Sequence, residues 1–586
     1  MKKPLTFIAL IGIAIALSAA AQAQQKKIYP DRWVYANGNF KSDKDLEAMV
    51  EIIHTAAEHG FNGMVLSGMD HISMYSPEQL ARLIKVKEVA DANHIEIIPA
   101  GFGTGYGGAI LSQDKNLAEG LLVQDALFVA KGGSAQFVAD SPAKLVNGEF
   151  EQYQGNRFSG FTLQDEPGKK TFVDTTVTHS GKASLRLENF GETTTEKPAD
   201  TGGAPPEVIG MKDPSPKGVA RVAQEIRVTP NRCYRVSAWV KTEGVEPASL
   251  FSIKSFTPDG RDLSPFEPPA PSPASGWRKV TTSFNSWYAD RIELTIGVFE
   301  GVKGKVWVDD VEVEEVGLMN VIRRDGAPLT VRDEKTGTVY TEGGDFAPVS
   351  DPNLDFHWIH PMPTIQLLPG GRIHDGARLR VSYYQGVTIY NDQTPICPSA
   401  PKVHEIWKQQ FPLLEKYLAP KRYFITTDEV RALNRDESCL RRKKAAAAIL
   451  GNNLQWLYDQ VHAVNPKAQV LVWSDMFDPN HNSVKQYYFV DGSFENTWTY
   501  LPKDIGIVCW YFEKRRASLE FFSSRGFKTY AAAYYDANTL EATEKNAKGW
   551  MDAMDTAPGA EGIMYTTWGS NYKLLAPFGD LVSKRP

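Results

Sequence analysis

The run Tyr423-Phe-Ile-Thr-Thr-Asp-Glu-Val430 is an apolar, strand-like stretch that ends in two adjacent carboxylates. Paired acids in an apolar setting suit glycoside chemistry. One must keep a proton for the leaving oxygen while another negative charge supports an oxocarbenium-like centre. Adjacency sets a condition: on a regular strand Asp428 and Glu429 point to opposite faces, so both reach one pocket only where the strand twists or ends. A helix N-cap Asp followed by a first-turn Glu would produce the same dipeptide. Aromatic and acidic residues recur at the ends of later strand-like runs, namely Trp473 with Asp475, Trp510, Tyr534-Tyr535-Asp536, and Trp568. Indoles there suit stacking on sugar faces as well as ordinary core packing.

Such residues need a frame that brings strand ends together. Short β-branched or aromatic runs near 33–36, 62–66 and 95–99 alternate with helix-period segments at 45–58 and 77–92. The alternation resumes late, with strand-like runs near 423–427, 470–473, 505–510, 529–533 and 563–567 separated by helical segments such as 437–464. Eight such strands predict a (β/α)8 barrel of the TIM type, with functional residues at the C-terminal strand ends. Between strands three and four the pattern changes to period two with recurrent turn signals, over about 143–384. The expected fold class is therefore α/β, a (β/α)8 barrel interrupted after strand three by an all-β insert.

Composition narrows the partners. The 586 residues are 42% hydrophobic and 23% charged, with a formal charge of −6 and no long basic run, which argues against nucleic acid and anionic membrane surfaces. Lys2 and Lys3 precede an apolar run from 5 to 17 and an Ala21-Gln22-Ala23 step, the pattern of a cleaved signal peptide over 1–23. Periplasmic or secreted localisation without membrane insertion is expected. The four cysteines, Cys233, Cys397, Cys439 and Cys509, do not make a disulfide framework. A Cys397–Cys439 bridge and buried reduced thiols both remain open. Gly103-Thr-Gly-Tyr-Gly-Gly108 satisfies G-x-G-x-x-G, yet no helix follows at once, so a ligand-facing loop is expected rather than dinucleotide binding. Asp70-His71 reads as a satisfied pair, and His357 with His360 as structural.

Within the insert, five runs resemble the successive strands of carbohydrate-binding modules of families 4, 9 and 22. They are Leu145-Val-Asn-Gly-Glu-Phe-Glu151, His179-Ser-Gly-Lys-Ala-Ser-Leu-Arg-Leu187, Tyr234-Arg-Val-Ser-Ala-Trp-Val-Lys241, Gly276-Trp-Arg-Lys-Val280 and Val306-Trp-Val-Asp-Asp-Val-Glu-Val313. The resemblance implies a jelly-roll sandwich and a structural calcium ion held near Glu151 and Asp310. No cofactor is implied for catalysis. Trp287 and Tyr288 could stack on a sugar or pack at the rim. The expected domains are 24–142 and 386–586 for the two barrel pieces, 143–316 for the sandwich and 317–385 for a small β unit.

The barrel motifs resemble glycoside hydrolase family 20, the β-N-acetylhexosaminidases. Asp428-Glu429 looks like that family's Asp-Glu pair, and Ile97-Ile-Pro-Ala-Gly-Phe-Gly-Thr-Gly-Tyr106 looks like its third strand and Gly-containing loop. By that resemblance Glu429 is the general acid/base and Asp428 orients the 2-acetamido group. Tyr535 hydrogen-bonds the same group, Trp473, Trp510 and Trp568 wall the sugar, and Asp475 and Asp536 complete the substrate-binding set. Thr426-Thr427 replaces the usual Gly-Gly, the preceding His is missing, and Ser570 replaces a closing Glu. The implied activity is an exported, exo-acting hydrolase of β-linked N-acetylhexosamine or a related sugar, retaining and substrate-assisted. The alternatives are a retaining glycosidase of plant or algal polysaccharide that uses double displacement, with Asp536 or Asp475 as nucleophile, and a non-catalytic polysaccharide-binding protein.

Overall fold

The computed structural model describes residues 28–191, 210, 212, 217–246, 251–264, 273–356, 360–389 and 393–584. The expected signal peptide and His357 lie outside the described residues. Eight strands form a closed barrel: β1 (Asp31–Asn37), β2 (Gly63–Ser67), β3 (Glu96–Gly101), β4 (Arg422–Ile425), β5 (Gln469–Trp473), β6 (Gly506–Cys509), β7 (Lys528–Tyr534) and β8 (Ala560–Thr566). All neighbours are parallel, and β8 returns to β1 with Gly562 opposite Asp31.

Strand parity sorts the side chains. Trp33, Tyr35, Phe424, Leu471, Trp473 and Tyr530 fill the barrel interior. Their neighbours Val34, Ala36, Tyr423, Ile425, Val470 and Val472 pack outward in a separate core with the helices. Burial on both faces explains why these strands are nearly continuous apolar runs. At the lower rim Arg422 bridges Asp31 at 3.1 Å and Glu96 at 2.5 Å, so one guanidinium ties β4 to β1 and β3.

Helices flank part of this barrel. Helices α1 (Asp43–Glu58) and α2 (Pro77–Ala92) each start with a capping box, from Ser42 with Asp45 and from Ser76 with Gln79, which satisfies otherwise orphaned N–H groups. Helix α3 (Pro401–Leu418) precedes β4 and α4 (Ala446–Val464) follows it. Helices α5 (Arg515–Ser523), α6 (Leu540–Met554) and α7 (Leu575–Ser583) follow β6, β7 and β8.

The expected (β/α)8 class is nevertheless overturned. The β5–β6 connection carries only 3₁₀ turns at Asp475–Phe477 and Thr497–Tyr500 and a two-residue strand, Phe489–Val490, so the strand–helix alternation is broken. Most strands belong to other sheets, and helix is the minor element. The architecture is a closed parallel barrel joined to antiparallel sheets, with an incomplete helical layer. Pro479, Asn480, Asn482 and Pro502 in that connection disfavour a helix.

Between β3 and β4, a five-stranded sheet including Cys233–Glu246 and Lys303–Val316 and a four-stranded sheet including Ala220–Arg227 and Arg291–Val298 share an apolar core. A third antiparallel sheet pairs Gly120–Lys131 with Arg378–Gly386. Residues 120–137, assigned to the first barrel piece on sequence, therefore contribute strands to the smaller β unit instead. The join with the barrel is packed: Trp287 lies 6.0 Å from Phe489 with the Arg435 guanidinium 4.1 Å from its ring. Trp287 thus packs between sandwich and barrel, while the half-exposed Tyr288 donates to Asp259 at 2.7 Å.

Among the described residues no helix is long and apolar enough to cross a membrane.

Candidate active site

Strand β4 ends at Ile425, and the chain then turns so that Glu429 adopts a left-handed backbone with φ 46°. That conformation is unfavourable for a side chain with a Cβ and costs about 1–3 kcal/mol, so its surroundings must impose it. They do so at both ends of the residue. The Glu429 N–H donates to Asp475 Oδ2 at 2.9 Å, and Gln393 Nε2 donates to the Glu429 carbonyl at 2.8 Å. At this turn the two acids no longer follow strand alternation.

The settings of the two carboxyl groups differ. Glu429 accepts from Arg431 Nη2 at 2.7 Å through Oε1 and from the Tyr106 hydroxyl through Oε2. Arg431 is itself fixed by Gln393 and lies 5.2 Å from the Tyr488 ring. Asp428 has Asp475 and Glu429 as electrostatic neighbours, and burial together with those two acids pushes its carboxyl well above the ordinary Asp range. Asp475 is fully buried. Burial pushes it up to about 7, against hydrogen bonds from the Glu429 N–H, Asn482 and Trp510.

Asp475 therefore has a stability signature. Its folded pKa lies above its ordinary value of 3.8, so between those values the folded state binds more protons than the unfolded state. Its contribution is complete below about pH 4 and is lost as the pH rises through about 7. Asp475→Asn is expected to flatten this part of the Tm–pH curve. The check is the difference between wild-type and variant melting temperatures across that window, in which carboxylates remote from Asp428 and Glu429 cancel.

Gly-rich residues bring Tyr106 to Glu429. A Cβ on Gly105 would lie 2.1 Å from the Asp428 carbonyl oxygen, and one on Gly103 would lie 2.9 Å from that of Thr426. The G-x-G pattern is thus explained by close backbone approach to the acid-bearing turn. Asp70 accepts from the Phe102 N–H at 2.8 Å and so braces the start of this loop.

The aromatic residues separate into two groups. Trp473 is buried in the barrel interior, and Trp568 is 47% exposed, with 5.8 Å between their rings; Tyr35 lies 5.5 Å from Trp568. Trp568 thus presents an exposed ring backed by the buried Tyr35 and Trp473. Trp510 is buried and assists Asp475, beside His481 at 4.4 Å. His481 is fully buried, and burial pushes its pKa down to about 3.

Like Asp475 and Trp510, two further residues expected to bind substrate have other partners. The Tyr535 hydroxyl donates to the backbone carbonyls of Trp510 and Ala532, inside the barrel core. The Asp536 carboxylate accepts from Thr567 Oγ1 and from the N–H groups of Trp568 at 2.7 Å and Gly569 at 3.0 Å, so it shapes the turn that presents Trp568.

The calcium expectation also meets a different arrangement. Glu151 Oε1 accepts from the N–H groups of Lys182 at 2.6 Å and Ala183 at 3.1 Å. Asp310 meets Ser180 Oγ at 2.8 Å and His179 Nδ1 at 2.6 Å. Both acids hold the 179–183 turn through donors, which is not the oxygen cage a calcium ion needs. The residues as placed do not fit that ion.

Arg431, Gln393 and Tyr35 were not singled out from the sequence, and Tyr106 stood out only as part of the Gly-rich run 103–108 expected to face a ligand.

No family model matches the chain, and no curated protein matches it. Among solved structures it is similar to a rhamnosidase from Novosphingobium sp. PP1Y, with 11% identity and a TM-score of 0.34 over 94% of this chain and 56% of that one. The chain thus spans a little over half the length of that rhamnosidase. It is also similar to TmCBM61 in complex with β-1,4-galactotriose, with 15% identity and a TM-score of 0.20 over 30% of this chain and 100% of that one. A third similarity is to the CBM22-1 xylan-binding domain of Paenibacillus barcinonensis Xyn10C, with 14% identity and a TM-score of 0.18 over 32% of this chain and 98% of that one.

Proposed function

We propose that the chain is an exported glycoside hydrolase whose reacting groups are Asp428 and Glu429, acting on an oligosaccharide or polysaccharide. The observation that carries this reading is the contrast between neighbouring acids. Asp428 is half-buried beside the like charges of Asp475 and Glu429, and burial together with those charges pushes its carboxyl upward in the direction a general acid needs. Glu429 is held as an acceptor by Arg431 and Tyr106, as fits a carboxylate that supports or attacks an anomeric centre. This exchanges the roles that the family resemblance implied. The exposed Trp568 beside Tyr35 and Trp473 supplies an apolar face for a sugar ring. Export rests on the leader-like pattern of residues 1–23.

A panel of aryl glycosides tests this. Cleavage of at least one glycoside without a 2-acetamido group is expected, because Tyr535 leaves no hydroxyl free for that group. Cleavage confined to N-acetylhexosaminides would favour substrate assistance, the reading drawn from the family 20 resemblance. Binding without cleavage of any member would leave a polysaccharide-binding protein. Trp568→Ala is expected to raise KM by about three- to tenfold, the worth of one aromatic contact, with little change in Tm. Steady-state kinetics and thermal melting check this.

A further inference from the structure

A second buried cluster lies where the β-rich segment leaves and rejoins the barrel. Glu119 directly precedes the strand Gly120–Lys131, Cys397 lies just before α3, and Asp436 and Cys439 belong to the short helical turn after β4. All four are buried, and one ligand atom from each lies within 4.8 Å of the others. The Sγ atoms of Cys397 and Cys439 are 3.6 Å apart, Cys397 Sγ is 3.4 Å from Asp436 Oδ1, and Cys439 Sγ is 3.8 Å from Glu119 Oε2. Tetrahedral zinc with bonds of about 2.3 Å to sulfur and about 2.0 Å to oxygen places its ligands on edges of about 3.3–3.8 Å, which these separations match.

The surrounding donors point the same way. Each carboxylate has one oxygen engaged from outside and the other turned to the sulfurs. Glu119 Oε1 accepts from the Arg435 N–H at 2.7 Å, and Asp436 Oδ2 accepts from Arg324 Nη2 at 2.5 Å. Asp436 Oδ1 also caps the Cys439 N–H, at 3.3 Å. Ser399 Oγ lies 3.2 Å from Cys439 Sγ and accepts from Arg442 Nη1 at 3.1 Å, which leaves its hydroxyl proton free to support a thiolate. Outer partners that orient ligands in this way are what a metal centre requires. Charge supplies the motive, since the Arg324 guanidinium is paired with Asp436 while, among the described residues, Glu119 has no side-chain cation at hydrogen-bond distance.

We infer that Glu119, Cys397, Asp436 and Cys439 form a structural divalent-metal site of the zinc class, which pins both ends of the β-rich segment to the loop after β4. On binding, the two thiol protons leave to solvent and the sulfurs coordinate as thiolates. The site is separate from Asp428 and Glu429, so it stands whether or not the chain hydrolyses glycosides.

The test uses the full mature chain, purified without chelator. Elemental analysis is expected to find about one zinc per chain, and a chelator is expected to remove it with a fall in Tm that added Zn²⁺ reverses. Co²⁺ added to the reduced, metal-free protein is expected to give a thiolate-to-cobalt charge-transfer band. Cys439→Ser should cut that band by half or more, and Glu119→Gln, which keeps both thiols should Cys439→Ser not fold, should weaken Zn²⁺ affinity by roughly tenfold or more. Titration of thiols in denaturant without reductant separates the alternatives. Loss of two thiols to a Cys397–Cys439 disulfide would overturn the inference, as would four free thiols with no bound zinc and no cobalt band.

Discussion

Glu429→Gln lowers kcat/KM on the best aryl glycoside by about 10³-fold, the upper end of the loss on removing one group that stabilises charge in the transition state. The amide keeps the size of the side chain, and its oxygen can still accept from Arg431 while its nitrogen faces the Tyr106 hydroxyl. The backbone clamps from Asp475 and Gln393 do not involve the side chain, so the left-handed turn stays in place. The loss should therefore fall on kcat, with KM little changed, which marks an interaction made mainly in the transition state. Asp428→Asn should cost a similar factor by a different route, because an amide is too weak an acid to protonate the leaving group. The two variants also separate the roles. With a substrate whose leaving group needs no protonation, Asp428→Asn should recover much of its first-step rate and Glu429→Gln should not. Pre-steady-state kinetics with circular dichroism to verify folding is the measurement. A loss below tenfold for Glu429→Gln removes it from the chemistry.

Much of the barrel was legible because strands buried on both faces must be apolar runs. Tyr423 to Ile425 and Val470 to Trp473 could be read directly as strands, whereas the interior placement of Phe424 and Trp473 against their outward neighbours shows only in the structure. The helical layer was less legible. The count of strands suggested a regular alternation, whereas the β5–β6 connection is governed by local breakers and by packing of Phe489 against the sandwich. At the site, Asp428 and Glu429 stood out by type and spacing, but their partners did not. Tyr106 meets Glu429 across 323 positions of sequence, and Gln393 comes from the far end of the β-rich segment. Tyr535 illustrates the converse case. Its type and place matched a ligand contact, yet which acceptor a phenol finds depends on carbonyls two strands meet in space, here those of Trp510 and Ala532.

Gly105→Ala is expected to cost about 10²-fold in kcat/KM, although residue 105 carries no reacting group. The added methyl would lie 2.1 Å from the Asp428 carbonyl oxygen and 2.8 Å from that of Glu429. Neither oxygen can yield easily, since the Glu429 N–H is bonded to Asp475 and its carbonyl to Gln393. The Gly-rich loop must move instead, and it carries Tyr106, whose hydroxyl is one of the two donors to Glu429. Overpacking of this kind costs about 1–3 kcal/mol, so a fall in Tm of several degrees should accompany the lost activity. Two further variants isolate the cause. Gly108→Ala adds the same methyl on the same loop where nothing lies within 4 Å, and it should behave as wild type. Tyr106→Phe removes only the donor and should cost about tenfold with little change in Tm, as loss of one hydrogen bond to a charged acceptor does. A Gly105→Ala protein indistinguishable from Gly108→Ala would show that close approach of this loop does not position the acids. A loss no larger than that of Tyr106→Phe would confine the loop's role to the single hydroxyl.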